Sequence, residues 1–241
     1  MSKLKMSTRE IGSVCVFDLT GDPTQESLDE VIGKIQRSIR RHRIQRIILN
    51  LQRVPMLEPL GLRRLLAACI RPQRSLLYGV SDALAGVLET TYVPRNVKIC
   101  NTEKEVAEDF GPFLLSKDIA AIPSKVIDGI PQESIGRELE RRRSKRMHVA
   151  LPLEFKLKIA NGEVLDVKAI ATNISEGGLY AEFLDLVVTE KIDNLNPVAD
   201  LNADITIFPS ANFPEEYHLK ARVVRKEVQK KQLGLAFEFL A

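Results

Sequence analysis

The chain has 241 residues, of which 44% are hydrophobic, and a formal net charge of +3 at pH 7. This length is sufficient for one or two domains with buried cores. No apolar run reaches the roughly 18 residues of a transmembrane helix, and the N-terminus lacks the apolar stretch of a signal peptide. The three cysteines lie far apart in apolar contexts, which is typical of reduced thiols in a cytoplasmic protein. We therefore expect a cytoplasmic protein without a membrane span.

The first half of the chain alternates between short apolar runs and helical patterns. Residues 14–19 and 46–51 are rich in β-branched side chains, as buried strands are. Between them, apolar residues recur at helical spacing over residues 24–43. The alternation continues with a helix after residue 61, a strand over 75–80, a helix beginning near Ser81, a strand over 97–100 and a helix to Phe110. Thr102 and Glu105 have the spacing of a capping box at the start of this last helix. The pattern predicts a small α/β domain with helices packed on a sheet.

This order of elements, with "LQRVPMLEPLGLRRLL" between the second strand and its helix, resembles the STAS domain, the fold of anti-sigma-factor antagonists. The resemblance covers residues 10–113 and implies a mixed sheet. In phosphorylated members of the family, an Asp-Ser-Ser/Thr-Gly stretch opens the helix, and its hydroxyl accepts a phosphate. The matching residues 58–61 read Glu-Pro-Leu-Gly, and no Ser, Thr or Tyr stands between Asn50 and Ser75. The resemblance therefore implies a domain that lacks the phosphoswitch and retains a surface for an unidentified protein partner.

Arginines are concentrated near the same helix. They are Arg53, Arg63, Arg64, Arg71 and Arg74. Such a group either binds an acidic partner or forms a solvated helix face that contributes little to stability. The sequence leaves both interpretations open.

Residues 116–137 contain two prolines and two glycines that interrupt any long helix, so we interpret them as a linker. The first domain then covers residues 1–115, and the second covers residues 138–241. In the second domain the apolar residues alternate with period two, as they do in half-buried strands. Strand patterns cover residues 148–159, 163–174, 178–183, 200–208, 216–228 and 232–240, with a longer insertion at 184–197. Six strands in about 95 residues with few helix signals predict an all-β, six-stranded antiparallel barrel.

The stretch "RRRSKR", residues 141–146, places five cationic side chains in six positions. Residues 1–115 carry 17 basic and 13 acidic residues, whereas residues 116–241 carry 18 and 19. The cluster is therefore a local concentration of charge in a half without a basic surplus. Proteins that bind nucleic acid through a broad footprint usually show a basic domain. The charge distribution favours a small, discrete anion.

A second motif, "NISEGG", covers residues 173–178. In an extended strand the side chains of Asn173 and Ser175 point to the same face. Gly177 and Gly178 then permit a tight turn and the close approach of another group to the backbone.

The order of the two motifs resembles that of the PilZ domain. Arg142-x-x-x-Arg146 stands directly before the first barrel strand, and Asn173-x-Ser175-x-x-Gly178 stands between the second and third. The resemblance covers about residues 138–240, and the paired motifs of this family bind the bacterial second messenger cyclic di-GMP. It implies seven ligand-binding residues, namely Arg141, Arg142, Arg143, Arg146, Asn173, Ser175 and Gly178. In similar proteins an arginine directly before the first motif accompanies two stacked ligands, so Arg141 predicts two molecules per barrel.

The chemistry of the side chains agrees with this ligand. A guanidinium group pairs bidentately with phosphate oxygens or with guanine O6 and N7. The N1–H and N2–H₂ edge of guanine needs acceptors, which the Asn173 carbonyl and the Ser175 hydroxyl provide. Asn173 stands where many family members carry Asp, and because an amide accepts more weakly, affinity is expected to fall modestly.

The sequence thus predicts a cyclic di-GMP receptor or adaptor that passes the signal through its STAS-like half to a protein partner. We expect no enzyme, no metal site and no cofactor apart from the ligand, because no catalytic motif is found and the three histidines are scattered. Two alternatives remain: a protein-interaction scaffold that has lost the ligand, and nucleic-acid binding through residues 141–146.

Overall fold

A computed structural model describes the chain in six stretches: residues 3–114, 146–159, 162–195, 201–210, 213–229 and 232–240. The structure divides into two compact units, each treated separately below. The first contains the chain up to Val106 together with Leu184–Thr189 and Val228–Leu233, and the second contains the remainder. The predicted linker 116–137 and Arg141, Arg142 and Arg143 lie outside the described residues.

The first unit is built on a five-stranded mixed sheet. Its strands are β1 (Lys5–Ile11), β2 (Val14–Thr20), β3 (Arg46–Arg53), β4 (Arg74–Tyr78) and β5 (Val97–Cys100), in the order β1-β2-β3-β4-β5. β1 is antiparallel to β2, and the other neighbours are parallel. The predicted strands are present, and β1 is an addition that the sequence analysis did not anticipate.

Four helices accompany this sheet: α1 (Gln25–His42), α2 (Pro59–Ala68), α3 (Asp82–Glu89) and α4 (Glu103–Leu114). α1 begins after Thr24, whose hydroxyl accepts a hydrogen bond from the Ser27 amide, and it ends at Arg43 in the left-handed conformation. Its apolar face packs on the sheet, with Ile35 fully buried beside Phe17 and Leu49 in one core. The predicted α/β fold is confirmed.

The predicted capping residues of α3 and α4 are confirmed. Ser81 accepts a hydrogen bond from the Leu84 amide at 3.4 Å. The Thr102 hydroxyl accepts from the Glu105 amide at 3.3 Å, while the Glu105 carboxylate accepts from the Thr102 amide at 3.1 Å. These bonds satisfy amide groups that a helix leaves without partners in its first turn.

The second unit contains a closed, six-stranded barrel, as the sequence predicted. Its strands are β6 (Met147–Lys158), β7 (Val164–Ser175), β8 (Gly178–Glu182), β9 (Asn202–Ile207), β10 (Tyr217–Gln229) and β11 (Gln232–Phe239), in the order β10-β11-β8-β7-β6-β9. The Phe155 ring lies in the interior, with its centroid 4.9 Å from that of Phe237 and 6.0 Å from that of Phe183. Alternating apolar residues of the strands thus form one aromatic-centred core.

The insertion after β8 contains a helix that the sequence analysis did not predict, α5 (Leu186–Asn194). Asp185 caps its start, because its Oδ1 accepts hydrogen bonds from the Val187 and Val188 amides at 2.7 and 3.2 Å. At the other end the Lys226 ammonium donates to the Asp193 carbonyl oxygen at 2.6 Å. A cation at this end also interacts favourably with the helix dipole. The helix is therefore fixed by side-chain caps more than by an apolar stripe.

The described residues contain neither of two features, a membrane-spanning helix and a metal-binding group. No helix in the described stretches is long and apolar enough to cross a membrane. Within the same stretches, no three His, Cys, Asp or Glu side chains are grouped so that they could hold a metal ion.

Candidate ligand-binding site

Two of the predicted site residues, Ser175 and Gly178, flank the turn between β7 and β8. Ser175 pairs with Gly178 across the hairpin, and Glu176 and Gly177 form its tip. The Ser175 hydroxyl donates a hydrogen bond to the Gly178 carbonyl oxygen at 3.2 Å. The Phe239 amide of β11 donates to the Gly177 carbonyl oxygen at 3.0 Å. The turn is therefore fixed both within its own hairpin and by the last strand.

Gly178 has no space for a side chain. A Cβ atom at this position would overlap the backbone carbonyl oxygen of Phe237 on β11, whereas a Cβ atom on Gly177 would meet nothing within 4 Å. The close approach of the two strands therefore requires glycine at the last position of the motif and not at the position before it.

Asn173 is a residue of β7, the strand between β6 and β8. It pairs with His148 of β6 on one side and with Tyr180 of β8 on the other. The pairing of β7 with β8 is irregular between Ala171 and Asn173. From Asn173 to Ser175 the side chains therefore alternate regularly between the two faces of the strand. Both side chains are half-buried and emerge on the same face, as the motif predicted.

Arg146 is exposed and stands directly before β6. Met147, the first residue of β6, pairs with Ile174 of β7. Arg146 and Ser175 each stand one residue beyond this pair, so the fold brings Arg146, the last residue of the arginine motif, to the Asn173–Ser175 turn. The structure thus groups Arg146, Asn173, Ser175 and Gly178 in one place.

Two further residues beside Asn173 were not found by sequence reasoning, namely His148 and Tyr180. His148 is exposed, whereas Tyr180 is buried. Burial raises the pKa of Tyr180 above its usual value, and the nearby carboxylates of Glu182 and Glu227 raise it further, so its hydroxyl stays protonated at neutral pH. No sequence signal identifies either residue, because their place depends on strand register, and register shifts between His148 and Leu151 on β6.

The first unit shows what stands at the phosphorylation position implied by the STAS resemblance. α2 begins at Pro59, and the Glu58 side chain makes no capping hydrogen bond. The Leu60 side chain is 66% exposed in the first turn. Arg64, one of the arginines near this helix, forms an ion pair with Asp29 of α1. The exposed helix start therefore presents an apolar side chain, and one nearby arginine already has an acidic partner within the unit.

Family models match both halves of the chain. The model of the STAS domain matches residues 5–106, and that of the PilZ domain matches residues 140–241. The STAS match thus covers the five strands of the mixed α/β sheet, and the PilZ match covers the six strands of the closed antiparallel barrel. No curated protein sequence gives a significant match.

Solved structures give fold similarities only. The PilZ domain with c-di-GMP of YcgR from Escherichia coli is 19% identical with a TM-score of 0.28, over 42% of this chain and 78% of that one. The PilZ domain of CeSA from a cellulose-synthesizing bacterium is 18% identical with a TM-score of 0.30, over 41% and 82%. The Bacillus cell fate determinant SpoIIAA in its phosphorylated form is 16% identical with a TM-score of 0.35, over 42% and 96%. Similarities at this level carry no argument about function.

Proposed function

We propose that the protein is a cyclic di-GMP receptor whose PilZ domain binds the ligand and whose STAS domain passes the signal to a protein partner. One observation carries the proposal: strand register places Arg146 beside the turn that holds Asn173, Ser175 and Gly178. Arg146, the last residue of the arginine motif, and the second motif therefore lie at the same end of β6 and β7. On this proposal, Arg141, Arg142 and Arg143, which directly precede this end in sequence, complete the site.

The hydrogen-bond directions at the turn suit a guanine base. The Ser175 hydroxyl uses its proton on the Gly178 carbonyl, which leaves its lone pairs for the role of acceptors. The Asn173 amide adds a carbonyl acceptor on the same face. Guanine presents N–H donors on its Watson–Crick edge, while its phosphates carry the negative charge that arginines neutralise. The site thus pairs acceptors with the base and cations with the phosphates.

The STAS domain takes the role of an interaction module in this proposal. Its exposed helix start carries Leu60 and no hydroxyl within residues 58–61. A leucine side chain cannot accept a phosphoryl group, so the signal must reach this domain by another route. Ligand binding at the PilZ domain supplies that route, and the activity is one of binding, not of catalysis.

Calorimetric titration of the full chain with cyclic di-GMP tests the proposal directly. We expect saturable binding with a stoichiometry of two molecules per chain, because Arg141 offers a further guanidinium that can stack on guanine and reach a phosphate. Arg141→Ala is expected to shift the ratio toward one. A ratio of one for the unmodified protein contradicts the two-molecule expectation, and absence of binding contradicts the proposed function.

The two alternatives give different results in the same experiment. A scaffold that has lost the ligand shows no heat of binding with any cyclic dinucleotide. Nucleic-acid binding through residues 141–146 shows affinity that falls steeply with salt concentration, because phosphate contacts release counterions, and shows little preference for cyclic di-GMP. The two acceptors at the β7–β8 turn favour the nucleotide, since a purely electrostatic site does not need them.

A further inference from the structure

A buried polar cluster crosses the sheet of the first unit. It consists of Arg9 on β1, Asp18 on β2 and Asn50 on β3, whose exposed fractions are 9%, 3% and 0%. The Asp18 carboxylate accepts from Arg9 through both oxygens, at 2.6 and 3.1 Å, and from the Asn50 amide at 2.9 Å. A buried carboxylate needs such charge-assisted bonds to offset its loss of hydration. The Asp18 carboxylate therefore orients the two donors of the cluster, Arg9 and Asn50.

Two donors of this cluster converge on one backbone oxygen, the carbonyl of Leu184. Arg9 Nη2 lies 2.9 Å from this oxygen, and Asn50 Nδ2 lies 3.0 Å from it. Two residues further along, the Leu186 amide donates to Gln52 Oε1 at 3.3 Å. We call Arg9, Asn50 and Gln52 the clamp. It holds the segment Leu184–Thr189, which belongs to the first compact unit although it follows β8 in the chain.

The clamped segment is directly continuous with the candidate ligand site. β8 runs from Gly178, the last residue of the motif, to Glu182. Phe183 is fully buried, with its ring against Phe155, and Leu184 is the next residue. β8 is paired on both sides, with β7 and with β11, so bending of this strand would break backbone hydrogen bonds. The chain from the turn to the Leu184 carbonyl therefore consists of a doubly paired strand followed by one fully buried residue.

We propose that the clamp is the element through which the STAS domain senses ligand at the β7–β8 turn. This inference rests on the proposed function and adds the regulation of the same site. The clamp fixes the end of β8, which keeps the turn in one arrangement and lowers the entropy lost when ligand binds. Thermodynamic linkage requires the effect to be reciprocal: if the clamp favours ligand binding, bound ligand strengthens the clamp by the same factor.

Gln52→Ala and Asn50→Leu in the full chain test the inference. Gln52 is exposed, so its alanine variant removes the bond to Leu186 without opening the core. Asn50→Leu removes both the donor to Leu184 and the donor to Asp18 with little change in volume. Gln45→Ala is the matched control, because Gln45 is also exposed, lies just before β3 and has a side-chain amide that donates to the Arg43 carbonyl in its own turn.

The hydrogen-exchange rates of the Leu186, Val187 and Val188 amides report how firmly the clamp holds its segment. Calorimetry with cyclic di-GMP measures the affinity of the ligand site. We expect Gln52→Ala to speed exchange of these amides and to weaken cyclic di-GMP binding by about threefold to tenfold. Asn50→Leu is expected to act in the same direction, and the control is expected to leave both quantities unchanged. In the unmodified protein, cyclic di-GMP is expected to slow exchange of the same amides.

Three results overturn the inference. The first is that the Leu186, Val187 and Val188 amides exchange at the same rate in Gln52→Ala as in the control. The second is that Gln52→Ala binds the ligand as tightly as the unmodified protein or more tightly, and the third is that the ligand leaves the exchange rates of the unmodified protein unchanged. Each of them is compatible with cyclic di-GMP binding by the unmodified protein, in which case the proposed function stands without the clamp. Absence of ligand binding by the unmodified protein is the separate result that removes the proposed function.

Discussion

Replacing Arg142 or Arg146 by alanine is expected to lower the affinity for cyclic di-GMP about tenfold to a thousandfold. Each guanidinium is proposed to make a charge-assisted, bidentate contact, whose loss in a partly desolvated site costs about 2–4 kcal/mol. Asn173→Ala and Ser175→Ala remove neutral acceptors and are expected to cost about 1–2 kcal/mol each. Calorimetric titration of the full chain measures all four variants on one scale.

The control for this series is Lys168→Ala. Lys168 is an exposed residue of β7, the strand that carries Asn173, and its removal lowers the charge of the barrel by the same one unit as an arginine variant. A general electrostatic effect would weaken binding equally in the control and in the arginine variants. Near-normal affinity in both arginine variants contradicts the assignment of the site.

Gly178→Ala and Gly177→Ala are expected to differ sharply although they are neighbouring, chemically identical changes. The added methyl group at residue 178 overlaps the Phe237 carbonyl oxygen, and β8 or β11 must shift to accommodate it. Overpacking of this kind lowers the free energy of unfolding by about 1–3 kcal/mol. Because the shift displaces the motif itself, ligand binding is also expected to be lost. Gly177→Ala meets no atom and is expected to change stability by less than about 0.5 kcal/mol.

Urea unfolding of the full chain, followed by circular dichroism, gives the two midpoints, and titration with cyclic di-GMP gives the two affinities. The unmodified protein and Gly177→Ala are expected to agree in both measurements. Equal unfolding midpoints for Gly178→Ala and Gly177→Ala would show that the contact with Phe237 does not constrain the turn.

Most of the regular elements follow from sequence periodicity, and the exceptions have a physical cause. β1 was missed because its sequence, KMSTREI, is mostly polar and only Arg9 and Ile11 are buried in it. A strand at the edge of a sheet needs less apolar surface than a central one, so its pattern is weak. α5 was missed because Ile192 is its only buried residue, so it has no apolar stripe, and because the residue at its C-terminal end, Lys226, is remote in sequence.

The candidate site was predictable in composition but not in arrangement. The resemblance of the two motifs to those of the PilZ domain predicted Arg146, Asn173 and Ser175 as members of one site. The pairing of Asn173 with His148 and Tyr180 depends on irregularities in strand register that periodicity does not reveal. The clamp was not predictable at all, because it joins residues from two strands to backbone groups more than 130 positions away in sequence.

The contacts of β11 with the β7–β8 turn determine when the site can first exist. Phe239 donates to the Gly177 carbonyl, and Phe237 packs its backbone against Gly178, so the turn depends on residues about 60 positions further along the chain. A nascent chain emerges from the ribosome at about 5–20 residues per second, so the motif leaves several seconds before its support does. On the proposed function, a nascent chain cannot bind cyclic di-GMP until β11 has been made and has closed the barrel. Only molecules with a finished barrel would then report the concentration of the messenger.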